Sequence, residues 1–378
     1  MDALLSIKRK KIKYHKHNIG FREVISFWKT SRSDILTAGP QVQKFESKLE
    51  KYLGVNHVVG TSSCTAAIHL ALQASGIGAG DEVIVPNITF AATALAINHS
   101  GATPVLVDVS LPTGLIDTDA FVQAINEKTK AVIVVHLYGL MCPVLKIKEI
   151  CDKFGILFFE DSAHCLEGIH AGIRPGQVSD GAFFSFYPTK SITSGEGGAF
   201  ATNNLVLAQK VKNLRTHGLT KTAADRNLEG FKFWDILEIG WKYNLNDLQA
   251  ALLIPQFRKI DHNLKKREKL AKLYQKLLNY DNQSNIYAKE NIHARHIFPI
   301  LVDPIKRDDL ISLFNNYKIG CSVHYLPLHK ITAIKKISKI AGNLVNSDII
   351  GSSTISLPIY PKLKKKDVKL ICRTINEF

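Results

Sequence analysis

At 378 residues the chain exceeds what one small core organises, and length alone favours about two domains. Hydrophobic residues at 46% and charged residues at 22% match an ordinary globular protein and exclude a disordered or low-complexity chain. An excess of 49 Lys and Arg over 33 Asp and Glu gives +16, much of it in Lys8–Lys16 and Lys362–Lys369. With no RRM, zinc-finger or helix-turn-helix pattern, that charge reads as a solvated surface, not a nucleic-acid site.

The N-terminus, MDALLSIKRKKIKYHK, has no apolar signal segment, and no run of eighteen apolar residues occurs, so neither secretion nor a membrane span is expected. The six cysteines lack CxxC or metal-like spacing and fit free thiols in a reducing cytoplasm.

In chain order, the Ala- and Leu-rich stretch Ser63–Ser75 predicts a helix capped by Ser62 or Ser63. Five nearly continuous apolar runs follow: Asp81–Pro86, Thr103–Val109, Ala131–Gly139, Ile156–Asp161 and Ala182–Phe186. Continuity without alternation marks strands buried on both faces. Helical stretches at Asp119–Lys128 and Val144–Phe154 alternate with them, the βαβ rhythm of an α/β fold with a mostly parallel sheet between helices. After Pro255 a lysine-rich helical stretch, Gln256–Leu278, leads to HIFPILVD, a helix near Asp308–Tyr317 and a last strand at GCSVHY. The expected division is a large α/β domain, 1–255, and a smaller α+β domain, 256–378.

GIGAG at Gly76–Gly80 follows a helix and precedes a strand, the reverse of a dinucleotide loop, and reads as a turn. GTSSCTAA at Gly60–Ala67 joins a strand end to a helix start, where free N–H groups and hydroxyls can hold a phosphate; an ordinary N-cap is an equal alternative. In EDSAH, Glu160 and Asp161 point to opposite sides of a strand, which argues against their working as a glycosidase pair across one substrate. Asp161 is left beside the turn at the strand's carboxyl end, with His164 following. Lys190 follows an apolar strand and precedes SGEGG, whose glycines let the backbone turn beside a bound group. At the wall of a core, lost hydration lowers a lysine's pKa and lets a neutral amine attack a carbonyl; a surface lysine after a strand is the alternative. With an aromatic on an intervening loop, Phe90, the set describes a pyridoxal phosphate site.

Over nearly its whole length the sequence resembles the DegT/DnrJ/EryC1/StrS sugar aminotransferases of fold-type I. The resemblance is carried by ILTAGPQVQKFE, IGAGDEVIVPNITFAATALAI, EDSAH, SFYPTKSITSGEGGAF, LRTHG, GWKYNLNDLQAAL and SLPIYP. It implies Lys190 as the lysine that bonds the cofactor, Asp161 as partner of the pyridine nitrogen, His164 at the ring hydroxyl and Phe90 stacked on the ring. Phosphate contacts would come from Ser63, Thr65, Ala66 and Ser185, with Asn244 of the neighbouring subunit, hence a homodimer with shared sites. Substrate contacts would fall to Lys242, Arg215, Tyr187 and His324, although Lys242 and Arg215 read as well as structural charges.

KYN and HARHIFPILVD are similar to the branch that aminates UDP-4-keto sugars. The implied reaction moves an amino group from glutamate to a nucleotide-linked keto sugar for cell-surface polysaccharide. A 3-keto aminotransferase, a sugar dehydratase and a cofactor-binding regulator are the alternatives. Tyr187, His164 and Cys64-Thr65 stand where many relatives have His, Gln and Gly-Thr. Lys190, where deoxygenating relatives have histidine, argues for amination.

Overall fold

The computed structural model describes residues 11–219, 235–279 and 291–378; Lys8, Arg9 and Lys10 of the N-terminal basic run lie outside them. The first half of the chain contributes β1 (His57–Thr61), β2 (Glu82–Pro86), β3 (Thr103–Val107), β4 (Val109–Ser110), β5 (Leu115–Ile116) and β6 (Thr129–Val135). Then come β7 (Leu157–Asp161), β8 (Gly181–Ser185), β9 (Gly198–Thr202), β10 (Phe298–Leu301), β11 (Lys339–Ile340) and β12 (Thr354–Leu357).

Eight of them form one sheet in the order β1-β9-β8-β7-β6-β2-β3-β11. From β8 to β11 every pairing is parallel, whereas β9 runs antiparallel to both β1 and β8. The apolar runs form the strands because both faces are covered. Val83, Val85, Ile133 and Phe159 enter one core with the helix Cys64–Ala74, and Ile84, Val132, Val134 and Phe158 enter another with Val144–Phe154.

Three expectations shift. β6 stops at Val135, because His136 leaves the strand and Tyr138 and Gly139 adopt φ of 60° and 98°. The helix expected to reach Lys128 spans Thr118–Ala124; Ile125 is already extended, and Asn126 turns the chain by hydrogen bonds with Thr129 and Lys128. GCSVHY is not a strand. Its backbone groups go to separate partners: Gly320 N–H to Ile12, Ser322 to Ser356, and the His324 carbonyl to the Tyr138 hydroxyl at 2.6 Å. The strand that completes this region is β12, antiparallel to β10.

A separate core gathers Tyr274, Phe298, Phe314, Ile355 and Ile371, joined by Ile12 from near the N-terminus. In the reverse direction, β11 pairs with β3 and extends the large sheet. Among the described residues, no helix is long and apolar enough to cross a membrane, and all six cysteines are free.

Candidate active site

Because β6, β7 and β8 run parallel, their carboxyl ends share one edge of the sheet, where α/β folds place ligands. The antiparallel β9 begins at that edge, Gly198 opposite both Ser185 and Thr61. The loop from Phe186 to Gly197 therefore leaves the edge and returns to it, carrying Lys190. A cleft of about 490 Å³ lies there. Lys190, Asp161, His164 and Phe90 line it, together with Ser63, Thr65, Ser185, Tyr187 and His324.

The Lys190 loop is pinned from both sides. Lys190 N–H donates to the Tyr187 carbonyl at 3.0 Å, and Phe186 N–H to Gly197 at 2.8 Å. Ser191 Oγ donates to Glu167 at 2.8 Å, and Glu167 pairs with Arg267 at 2.5 Å in a buried clamp that also holds the Ala294 carbonyl. Loss of hydration pushes the Lys190 amine down to about 8, against the opposing pull of Cys64 and Asp161. The same burial holds the Cys64 thiol well above its ordinary value.

Asp161 and Glu160 face opposite ways, as alternation along a strand requires. Glu160 is fully buried against His136 at 2.7 Å, Gly176 N–H at 2.8 Å and Ser179 Oγ at 2.5 Å. Asp161 turns its carboxylate to the cleft, accepting from Thr93 Oγ1 at 2.8 Å and Ala163 N–H at 3.1 Å. His164 is held neutral, its pKa far below normal through burial and then the charge of Lys190. Its Nε2 meets the Tyr325 hydroxyl at 3.0 Å, and its buried Nδ1 has no partner among the described residues.

At the helix start, Ser63 is extended and its Oγ accepts from Ala66 N–H at 3.0 Å. The N-cap is real, and it commits the Ala66 N–H that was expected at the phosphate. Cys64 and Thr65 remain as first-turn residues whose N–H groups have no intrahelical acceptor. β9 approaches so closely that a Cβ on Gly198 would lie 2.3 Å from the Ser63 carbonyl carbon.

Arg215 does not line the cleft. It is 5% exposed, paired with Glu46 at 2.6 Å and donating to the Gly60 carbonyl at 2.6 Å, so it ties the helix Pro40–Leu53 to β1. Lys242 is exposed and pairs through its backbone with Thr216, away from the cleft lining. Asn244 also lies off this cleft, its amide donating to Thr37 Oγ1 at 2.8 Å. His324 lines the cleft, held by Ser356 Oγ at 2.8 Å and pushed down to about 4 by burial.

Several lining groups were not foreseen. Thr89 and Thr93 sit inside an apolar stretch, where a buried hydroxyl needs a partner; that was their one signal. Tyr325, 161 positions from His164, had none. Tyr14 and His15, read only as part of a basic run, wall a side chamber of about 70 Å³ beside Lys190.

The arrangement agrees with three comparisons. A family model described as the DegT/DnrJ/EryC1/StrS aminotransferase family matches residues 19–376. The chain belongs to the DegT/DnrJ/EryC1/StrS aminotransferase family. It is 35% identical over 368 residues to the spore coat polysaccharide biosynthesis protein SpsC of Bacillus subtilis, covering 95% of each chain. It is 32% identical over 373 residues to the UDP-4-amino-4,6-dideoxy-N-acetyl-beta-L-altrosamine transaminase of Campylobacter jejuni, covering 96% of each. Spr1654 of Streptococcus pneumoniae superposes in its PMP form with a TM-score of 0.91 at 29% identity, over 97% of this chain and 98% of that one. Its PLP form gives 0.90 at 28%, with the same coverage.

This DegT-family chain is therefore a sugar aminotransferase whose cofactor is pyridoxal phosphate. The residues present fit that group. The cleft offers an amine with a lowered pKa, an ionisable strand-end carboxylate, a helix start with open N–H groups, and a buried imidazole nitrogen without a partner.

Proposed function

We propose that the protein moves an amino group from glutamate to C4 of a nucleotide-diphosphate-linked keto sugar. The observation that carries the chemistry is the convergence of Lys190, at about 8, and Asp161 in one cleft. The Campylobacter relative, whose name describes a UDP-linked 4-amino sugar, supports the position of the amine.

When bound, pyridoxal phosphate supplies an electron sink for negative charge at the donor's Cα. Lys190 would bond the cofactor at rest and, once freed, would hold and move the proton at the donor's Cα, which needs an amine able to gain and lose a proton near neutral pH. Asp161 would hold the ring nitrogen in its protonated state, His164 would contact the ring hydroxyl, and Phe90 would cover the ring face. Ser63, Thr65 and Ser185 would hold the phosphate with Asn244 of the partner subunit, while Tyr187 and His324 would face the sugar.

A homodimer is part of this reading. The helix Phe21–Ser31 leaves Phe21 78%, Val24 55% and Trp28 55% exposed, an apolar face suited to a second copy. We also take residues 1–255 as the cofactor-binding domain and 256–378 as the smaller one, in a cytoplasmic enzyme; the separate core around Tyr274 supports that division.

The test supplies nucleotide-linked 3-keto and 4-keto hexoses with glutamate and locates the new amine by NMR. Amination at C4 with release of 2-oxoglutarate is expected. Amination at C3 alone, dehydration without amine transfer, or a cofactor spectrum that glutamate leaves unchanged would each refute it.

A further inference from the structure

We propose that Thr93, backed by Thr89, is the positioning residue that aims Asp161 at the cofactor. The inference rests on the reading that Asp161 partners the ring nitrogen. Thr93 is 1% exposed and Thr89 2%, and both border the cleft. Thr93 Oγ1 lies 2.8 Å from Asp161 Oδ2, and Thr89 Oγ1 lies 3.3 Å from Thr93 Oγ1.

The polarity of this chain follows from donor counting. An ionised carboxylate only accepts, so Thr93 gives Asp161 its single hydroxyl hydrogen. Having none left, Thr93 accepts from Thr89. Ala163 N–H occupies the other carboxylate oxygen at 3.1 Å. Each oxygen thus has one protein donor of a different kind, on a different element. Rotation of the carboxylate would break both bonds, and bonds to an ionised acceptor are about twice as strong as neutral ones.

Thr93 lies in the first turn of the helix Ala92–His99, and its N–H donates to the Phe90 carbonyl at 3.3 Å. A single turn therefore carries the ring proposed to cover the cofactor face and the hydroxyl that orients the carboxylate at its nitrogen. Phe90 and Asp161, 71 positions apart, are placed relative to each other through Thr93.

The test is titration of pyridoxal phosphate into the cofactor-free full-length protein, followed by absorbance and protein fluorescence, for wild type, T93V, T93S, T89A and D161N. Thr93→Val keeps the shape and removes the hydroxyl. It is expected to weaken cofactor binding on the order of tenfold and to shift the bound absorption band. Thr93→Ser, which keeps the hydroxyl and loses the methyl, is expected to restore both to within about threefold. T89A should fall between them. Wild-type affinity and spectrum in T93V, with D161N collapsed, would overturn the role of Thr93 while leaving that of Asp161 intact. Equal impairment of T93S and T93V would reduce Thr93 to packing and overturn the proposal. Wild-type binding by D161N would remove the underlying reading, and this inference with it. Thermal melting of the cofactor-free variants shows that each is folded before titration.

Discussion

The lowered pKa of Lys190 predicts how fast the cofactor-free protein captures an aldehyde. From 10.5 to about 8 is some 2.5 units, or about 3 kcal/mol of disfavoured ammonium at 1.36 kcal/mol per unit. At pH 7 an ordinary lysine is neutral about once in 3,000 molecules, and one at 8 about once in ten, a gain of about 300-fold in attacking amine. In stopped-flow mixing with pyridoxal phosphate, the rate of bond formation should climb tenfold per pH unit from 6 and level off near 8. Lys190→Ala should abolish this phase. A rate that keeps climbing to pH 10 would show a solvated lysine and refute the desolvation argument.

The same shift fixes the sign of a stability effect. A lysine whose folded pKa lies below its unfolded value destabilises while both states are charged, and the penalty disappears as both become neutral. Between about pH 8 and 10.5 the unfolded state binds more protons, so stability of the cofactor-free protein should rise there by up to about 3 kcal/mol. In urea unfolding, Lys190→Met should be more stable than wild type at pH 7 and lose that advantage by pH 10.5. A difference that does not change with pH would contradict the sign.

Arg215→Ala should lower stability by about 3 kcal/mol, because Glu46 is left without its partner. Differential scanning calorimetry reads that loss, and an altered KM for the sugar in a still-folded variant would restore Arg215 to the substrate site. Gly198→Ala should loosen cofactor retention during dialysis, since the added methyl meets backbone of Ser63 and Cys64 at 2.3–2.4 Å and neither can turn aside. Retention equal to wild type would show that β9 can retreat. If Asn244 completes the neighbouring site, mixing K190A with N244A chains should yield hybrid dimers with one intact site each. With random pairing, about a quarter of wild-type activity should return; a mixture no better than its parents would confine each site to one chain.

Much of the site was legible because its signals are local. The period of two separated Asp161 from Glu160 before any contact was known, and the contacts follow: one carboxylate meets His136 beneath the sheet edge, the other faces the cleft. The lysine's environment followed from the apolar run Ala182–Phe186, and the turn chemistry of SGEGG appears as φ of 85° at Gly195 and 150° at Gly197. Arg215 was ambiguous for a physical reason. A cation three residues from a glycine reads alike whether it meets a substrate phosphate or Glu46, 169 positions earlier.

The harder omission was β9, and it explains why Lys190 stands where it does. A strand that continued the parallel rhythm after the Gly-rich turn would need a crossover of about a dozen residues or more. Gly198–Thr202 instead returns antiparallel between β8 and β1. Only an antiparallel return keeps both ends of the Phe186–Gly197 loop at the edge where Asp161 ends. It also presses Gly198 against the start of the helix Cys64–Ala74. The amine, the carboxylate and the helix start are thus brought together by one reversal of strand direction. Its sequence trace is the absence of a Cβ at residue 198, a close approach that no periodicity reports.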